Sequence, residues 1–372
     1  MKDNRPEQYQ YYKQLVDHVG GEDKFFNGSM IWPRQLEIHL PGDGRRSCVM
    51  NCTHCQGALF QHALGEWEAN GLALLHDLHG RVPFHIYGGA YTEPVMNPYF
   101  PAYLGVTKFY KNHFGIHTSG SPLANLNDHN SILQHMIKLG EDKTDYISFS
   151  LDAASPASHK RGKGTEDEKF NSIINAIRIL AQHQDRRMAV RICYLLNRWN
   201  STEEEIDWIV SFAKRVGVDS LRFSIPYDYY LKTFDKVHKY REKNELPKAE
   251  KYRELLRPYL SESKSERTYI FYVTPEEGYT DITLYDFNQC IYGYYQITLG
   301  ADGYLYKCSA ISAPDMKHLR LGVVPNNAND LARAVMDNYD PDFDAQKMCF
   351  KFGGRCNRMA VECNRKHRDN KK

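Results

Sequence analysis

Cys48-Val49-Met50-Asn51-Cys52-Thr53-His54-Cys55 is the stretch on which the reading of this chain turns. Its three cysteines are spaced C-x3-C-x2-C and follow shortly after a strand-like run at residues 36–40. A cubane iron–sulfur cluster has four irons, and three thiolates from one tight loop can reach three of them. The fourth iron then takes a non-protein ligand, and a small molecule can be activated there. Zinc is the competing metal, but a structural zinc takes four closed N/S ligands, usually from C-x2-C pairs. His54 as a fourth ligand would be crowded by Cys52 and Cys55. The spacing therefore predicts Cys48, Cys52 and Cys55 as ligands of a [4Fe-4S] cluster with one open iron.

The composition bounds the rest. With 372 residues and 42% hydrophobic content, the chain is long enough for one large domain plus something smaller. Its 48 basic and 46 acidic residues nearly cancel, so no charge excess points to nucleic acid. Residues 1–14 are polar and tyrosine-rich, unlike a signal or transit peptide. No run approaches the roughly 18 apolar residues of a membrane helix. The nine cysteines are clustered and odd in number, which fits metal ligands in a reducing, cytoplasmic setting better than disulfides.

Along the middle of the chain, short β-type runs alternate with amphipathic helical stretches, the pattern of βα units around a parallel sheet. Strands are expected at 35–40, 83–87, 114–118, 146–151, 189–196 and 220–225. Helices are expected at 170–182 and 201–216, the latter opened by Thr202 and Glu205 in capping positions. The fold class is thus α/β: a partial (β/α)6 TIM-like barrel followed by a small cysteine-rich module. The expected organisation is an N-terminal helical extension (1–34), the barrel (35–226), a charged helical connector (227–268) and the cysteine-rich module (269–372), beginning with a strand at 269–274. In such barrels chemistry collects at the carboxyl ends of the strands. The connector reads as a solvated spacer, with a lid over the site as the functional alternative.

Residues 35–226 resemble the radical S-adenosylmethionine (radical SAM) superfamily, because several motifs recur in order at strand ends. The cysteine triplet matches the family's cluster loop, with His54 where the family usually has an aromatic ring near the adenine. Gly88-Gly89-Ala90-Tyr91-Thr92-Glu93 resembles the Gly-Gly-Glu motif that holds the methionine amino group, though Glu93 follows after a three-residue gap. His117-Thr118-Ser119-Gly120 resembles the turn ending the third strand. Ser150 and Asp152 share a face of the fourth strand and match the positions that contact the ribose. His159-Lys160-Arg161-Gly162 resembles a His-x-x-Arg-Gly pattern, one residue short, whose arginine faces the methionine carboxylate. Each match has an ordinary reading of its own: a tight turn, strand-end polar residues, a solvated basic loop.

The resemblance implies reductive cleavage of S-adenosylmethionine to a 5'-deoxyadenosyl radical, fed by an external one-electron donor such as flavodoxin or ferredoxin. Beyond the barrel, Cys290 and Gly303-x4-Cys308 resemble the opening of a SPASM or twitch domain, in which the pair flanks a β-hairpin. Gly300, Asp302 and Gly303 suit its turn. The continuation Cys349-x6-Cys356-x6-Cys363 departs from the full SPASM pattern. Five cysteines cannot supply eight ligands, so the expectation is one auxiliary [4Fe-4S] cluster held by Cys290, Cys308 and two of Cys349, Cys356 and Cys363, with zinc as the alternative. A late cysteine outside the ligand set, such as Cys356, could give a hydrogen atom to a substrate radical and make the enzyme an epimerase. Cys193, with Arg191 and Asn197 on its strand face, is the other candidate. If all late thiols ligate, the cluster could instead accept an electron, and dehydrogenation would result.

The stretch before the barrel is shorter than most independent domains, and the SPASM pattern is incomplete. Both features favour a small polar substrate such as a sugar, aminocyclitol or nucleoside. A short ribosomally made peptide is the rival substrate, and a non-catalytic iron–sulfur electron carrier is the rival class.

Overall fold

The computed structural model describes residues 30–42, 48–52, 66–89, 92–124, 126–165, 167–225, 246–262, 265–273, 292–309, 312 and 319–337. Their strands form one ten-stranded sheet in the order β10-β9-β8-β1-β2-β3-β4-β5-β6-β7. The central series runs β1 (Gln35–Ile38), β2 (Phe84–Tyr87), β3 (His113–Thr118), β4 (Tyr146–Ser150), β5 (Ala189–Leu195), β6 (Ser220–Ser224) and β7 (Tyr269–Val273). Neighbours in this series all pair in parallel.

Between the strands lie α1 (Glu68–Asp77), α2 (Phe100–Phe109), α3 (Leu126–Leu139), α4 (Pro156–Lys163), α5 (Asp167–Gln182), α6 (Glu203–Val216) and α7 (Leu246–Leu256). This is the alternation expected from the sequence, and all six expected strands are present within one or two residues. Two features differ. The sheet does not stop at the sixth strand, because β7 pairs parallel with β6. Beyond it, α8 (Tyr292–Tyr295) leads into β8 (Gln296–Leu299), which pairs parallel with β1 on the opposite edge. The antiparallel strands β9 (Tyr304–Tyr306) and β10 (Arg320–Val323) follow, and α9 (Ala328–Asp337) closes the described chain. The boundary expected at 268/269 thus runs through one continuous sheet. Such non-local pairing leaves no trace in local periodicity.

Every second strand residue joins the large apolar core under the helices: Leu36 and Ile38, Phe114 and Ile116, Ile147 and Phe149, Val190 and Ile192, Leu221 and Phe223. Their alternate neighbours face the concave lumen, since side chains alternate across a strand. Glu37, His117, Tyr146, Ser148, Arg191, Cys193 and Arg222 fall on that side. One wall of the lumen is apolar, with Tyr269, Phe271 and Val273 of β7 clustered together. Among the described residues no helix is long and apolar enough to cross a membrane.

Candidate active site

The site is built at the carboxyl ends of the parallel strands. Cys48 and Cys52 lie in the loop after β1, both half-buried, and neither is in a disulfide. His54 and Cys55 lie outside the described residues, as do Cys290, Cys349, Cys356 and Cys363.

Helix α4 holds this loop. Ser155 caps its start, accepting from the Ser158 backbone N–H in a capping box, with Pro156 in the first turn. The carboxylate of Glu205, on α6, clamps the same end: it accepts from the Ala154 N–H (2.8 Å), Ser155 Oγ (2.5 Å) and Ser158 Oγ (2.8 Å). Thr202 caps α6 as its sequence predicts, accepting from the Glu205 N–H, so Glu205 spends its side chain across the site rather than on its own cap. At the other end of α4, Gly164 takes a left-handed conformation with φ +63°. The Lys163 carbonyl accepts from the Asn51 N–H at 3.0 Å. A Cβ on Gly164 would come within 2.9 Å of the Asn51 carbonyl oxygen. The cysteine loop and the end of α4 are therefore in direct backbone contact.

The side chain of Lys163 reaches inward and makes a buried ion pair with Asp152. Burial favours the neutral amine, but Asp152, followed by Cys52 and Cys48, outweighs it and holds the lysine above its usual value. Asp152 has φ +51°, a strained conformation for a residue with a Cβ. Its other oxygen accepts from the Leu195 N–H at 2.7 Å, and its carbonyl from Asn200 Nδ2 at 2.8 Å.

The two basic residues of this stretch differ in placement. Arg161 is exposed, whereas Lys163 is buried and lies beside the cysteines. The stretch is a helix, so the residue sharing the buried face of His159 is the one four positions on. Helical spacing applied to His159 would have pointed to Lys163.

Glu93 is 1% exposed. It accepts from Thr118 Oγ1 (2.6 Å), the Ser119 N–H (2.8 Å) and Ser119 Oγ (2.7 Å), tying the end of β2 to the end of β3. Burial raises its pKa, and those hydrogen bonds partly offset the rise. Both carboxylate oxygens are thus engaged by β3. Gly88 has φ +93°, and a Cβ there would lie 2.4 Å from the His117 carbonyl oxygen; one on Gly89 would strike the His39 ring. The glycines do permit close approach, and the atoms that approach belong to the protein. Ser150 faces the lumen in register with Cys193, and Cys193 Sγ lies 3.0 Å from Ser148 Oγ.

On the other side of β1, the expected hairpin is present. Gly303 turns at φ +81°, and Asp302 accepts from Tyr306 Oη (2.7 Å) and Arg320 (2.6 Å). Cys308, half-buried, follows β9. Ser312 Oγ lies 3.3 Å from His39 Nδ1, so this segment meets the site at the end of β1.

Soft thiols on one short loop, with a buried cation against them, suit thiolate ligation of an iron–sulfur cluster. Cys48 and Cys52 therefore fit such a group.

No family model matches the chain, and no curated protein matches it by sequence. Solved structures do match. Streptococcus suis SuiB bound to the precursor peptide SuiA aligns with TM-score 0.55 and 14% identity over 85% of this chain and 68% of that one. SuiB bound to S-adenosylmethionine aligns with TM-score 0.51 and 12% identity over 83% and 67%. Histidine-tagged anSMEcpe with bound AdoMet gives 0.52 and 13% over 88% of both chains. Identities this low speak to the fold alone, and on that evidence the chain has the fold of the radical SAM enzymes.

Proposed function

We propose that this protein is a radical SAM enzyme acting on a polar substrate held in the lumen. The observation that carries the reading is the cysteine loop latched to α4 beside the Lys163–Asp152 pair, at the carboxyl mouth of a sheet with this fold. When bound, a reduced [4Fe-4S] cluster and S-adenosylmethionine supply a 5'-deoxyadenosyl radical, with methionine as the other product.

In this reading Cys48, Cys52 and Cys55 hold the cluster. The charge of Lys163 offsets that of the thiolates, and Ser150 and Ser119 border the cofactor. Glu93 and Asp152 act through the side chains they hold. The lumen excludes water and presents one substrate C–H bond to the radical.

Cys193 supports epimerisation as the outcome. It is a buried thiol on the lumen face, fixed by Ser148. The substrate C–H bond would break homolytically, its hydrogen atom passing to the adenosyl radical to give 5'-deoxyadenosine. The S–H bond of Cys193 then breaks to give hydrogen to the substrate carbon. The resulting thiyl regains an electron from the external donor and a proton from solvent. Cys356 remains the rival thiol, and dehydrogenation the outcome if an auxiliary cluster on Cys290, Cys308 and the later cysteines takes the electron.

A small polar molecule is the substrate we favour, because the lumen wall is polar and charged on β1 and β3 to β6. A ribosomally made peptide is the second reading, favoured by the alignment with SuiB in complex with its precursor peptide. Turnover in deuterated water tests the outcome: deuterium at the product carbon, lost in Cys193→Ala, is expected, and an oxidised product without deuterium would refute epimerisation. Anaerobic reconstitution should give about eight irons per chain, two cubanes' worth. About four irons together with zinc would sink the auxiliary cluster.

A further inference from the structure

Two histidines near the carboxyl ends of β1 and β3 are used differently by the protein. His39 spends both ring nitrogens on the chain: Nε2 lies 2.8 Å from a Glu37 carboxylate oxygen, and Nδ1 lies 3.3 Å from Ser312 Oγ. His117 spends one. Its Nε2 lies 3.0 Å from Tyr146 Oη, and its Nδ1 has no hydrogen-bond partner among the described residues. Ile116 belongs to the apolar core, so strand alternation turns His117 to the lumen. There it is half-buried rather than closed off.

The imidazole is held in place through its tyrosine. Tyr146 lies against Gly115, where a Cβ would come within 2.4 Å of Tyr146 Cζ, and stacks on Phe84 with ring centroids 6.0 Å apart. The Arg191 guanidinium carbon stands 3.6 Å from the centre of the same ring. A tyrosine fixed on these sides orients the histidine bonded to it. His117 is also uncharged at ordinary pH: desolvation pushes it down to about 4, Glu37 opposes the shift, and Arg222, Arg191 and His39 add to it. A neutral imidazole offers at Nδ1 either an N–H or a lone pair, according to its tautomer. Left unmet in a desolvated chamber, either one costs free energy.

The open nitrogen also has a telling neighbour. His117 is in register with Ser148 on β4, and Ser148 Oγ lies 3.0 Å from Cys193 Sγ. Imidazole and thiol thus flank one serine. A hydroxyl group donates and accepts, so it can meet Nδ1 in either tautomer, whereas an amide carbonyl only accepts.

We infer that His117 binds the substrate, hydrogen-bonding through Nδ1 to one of its hydroxyl groups beside the Ser148–Cys193 pair. This rests on the reading of the lumen as the substrate chamber of a radical SAM enzyme. The substrate class it selects is a polyol, a sugar or a nucleoside.

The test uses the full chain, reconstituted anaerobically with S-adenosylmethionine present, titrated calorimetrically with three probes. Myo-inositol carries hydroxyls on a carbocycle, uridine carries them on a nucleoside, and end-capped trialanine offers amide groups alone. Saturable binding of at least one hydroxyl probe is expected. Two amide replacements then separate recognition from packing, because asparagine puts its polar atoms where Nδ1 was and glutamine where Nε2 was. His117→Asn should bind that probe within about twofold of wild type, and His117→Gln about fivefold or more weakly. A purely structural role runs through Tyr146 and would give the opposite order. Circular dichroism checks that the variants fold, and His117→Leu, with the same loss expected, replaces the glutamine variant if that one does not. If wild type releases 5'-deoxyadenosine but binds neither hydroxyl probe, binds trialanine alone, or loses more affinity with asparagine than with glutamine, the inference is overturned and the enzyme reading stands. If wild type releases no 5'-deoxyadenosine, the enzyme reading falls and takes the inference with it.

Discussion

Strand β4 is flanked by two buried aspartates that do different work. Asp145, just before the strand, accepts from the Phe114 N–H and the Glu141 N–H, each at 2.9 Å, and from Lys108 and His113. Its backbone takes no positive φ. It is a clamp across strand starts, of the kind any parallel sheet can use. Asp152, just past the strand, has φ +51°, one backbone N–H on its carboxylate and a buried lysine as counter-charge. Strain of this sort costs on the order of 1–3 kcal/mol and persists where the surroundings enforce it, commonly at functional sites. The contrast shows which end of the sheet is built for chemistry. The amino end spends its charges on backbone N–H groups, and the carboxyl end spends them on a cation set against thiols.

Removing the lysine at each end separates the two kinds of work. Lys163→Gln leaves Asp152 as a buried, uncompensated charge and should lower unfolding free energy by about 3–5 kcal/mol, measured by urea denaturation of the metal-free chain. It should also weaken iron loading, because the Asn51 loop rests on the end of α4. Lys108→Gln should cost less, about 1.5–3 kcal/mol, since two backbone N–H groups still satisfy Asp145. Equal losses would mean the two ends are equivalent.

Acid should sharpen the comparison further. His159, buried on α4, is pushed down to about 4 by desolvation first and by the Lys163 charge second, with Asp152 opposing. The unfolded chain therefore takes up this proton near pH 6.5, while the native state resists until about pH 4. Its contribution to stability is full above about 6.5 and falls as pH drops toward 4. His159→Gln should flatten that part of the stability–pH curve, and an unchanged slope would contradict the assignment. The smallest effect is expected at Arg161, which is exposed. Arg161→Gln should shift stability by less than about 0.5 kcal/mol and leave iron loading intact.

Much of this was legible in the sequence. The strands announced themselves by alternation, and Cys48, Cys52, the glycine pair and Asp152 could be assigned to strand ends by pattern alone. What escaped has physical causes. The buried position of Lys163 was not legible, because the motif resemblance drew the reading to Arg161 and only the helical period brings positions 159 and 163 to one face. Glu205 looked like half of a capping box, yet its carboxylate crosses to α4, a tertiary choice that local sequence does not encode. The pairing of β8 with β1 joins residues about 260 apart and has no local signature. The polar lumen was half visible: alternation grouped Arg191 with Cys193, but His117 and Arg222 joined that wall only through register.

The central claim is tested most directly by incubating the reduced, anaerobically reconstituted chain with S-adenosylmethionine and measuring 5'-deoxyadenosine by chromatography. The account predicts release by the wild type and none by Cys52→Ala, whose cluster lacks one of its three thiolates. Equal release from both proteins, or none from a wild type carrying its full iron, would contradict it.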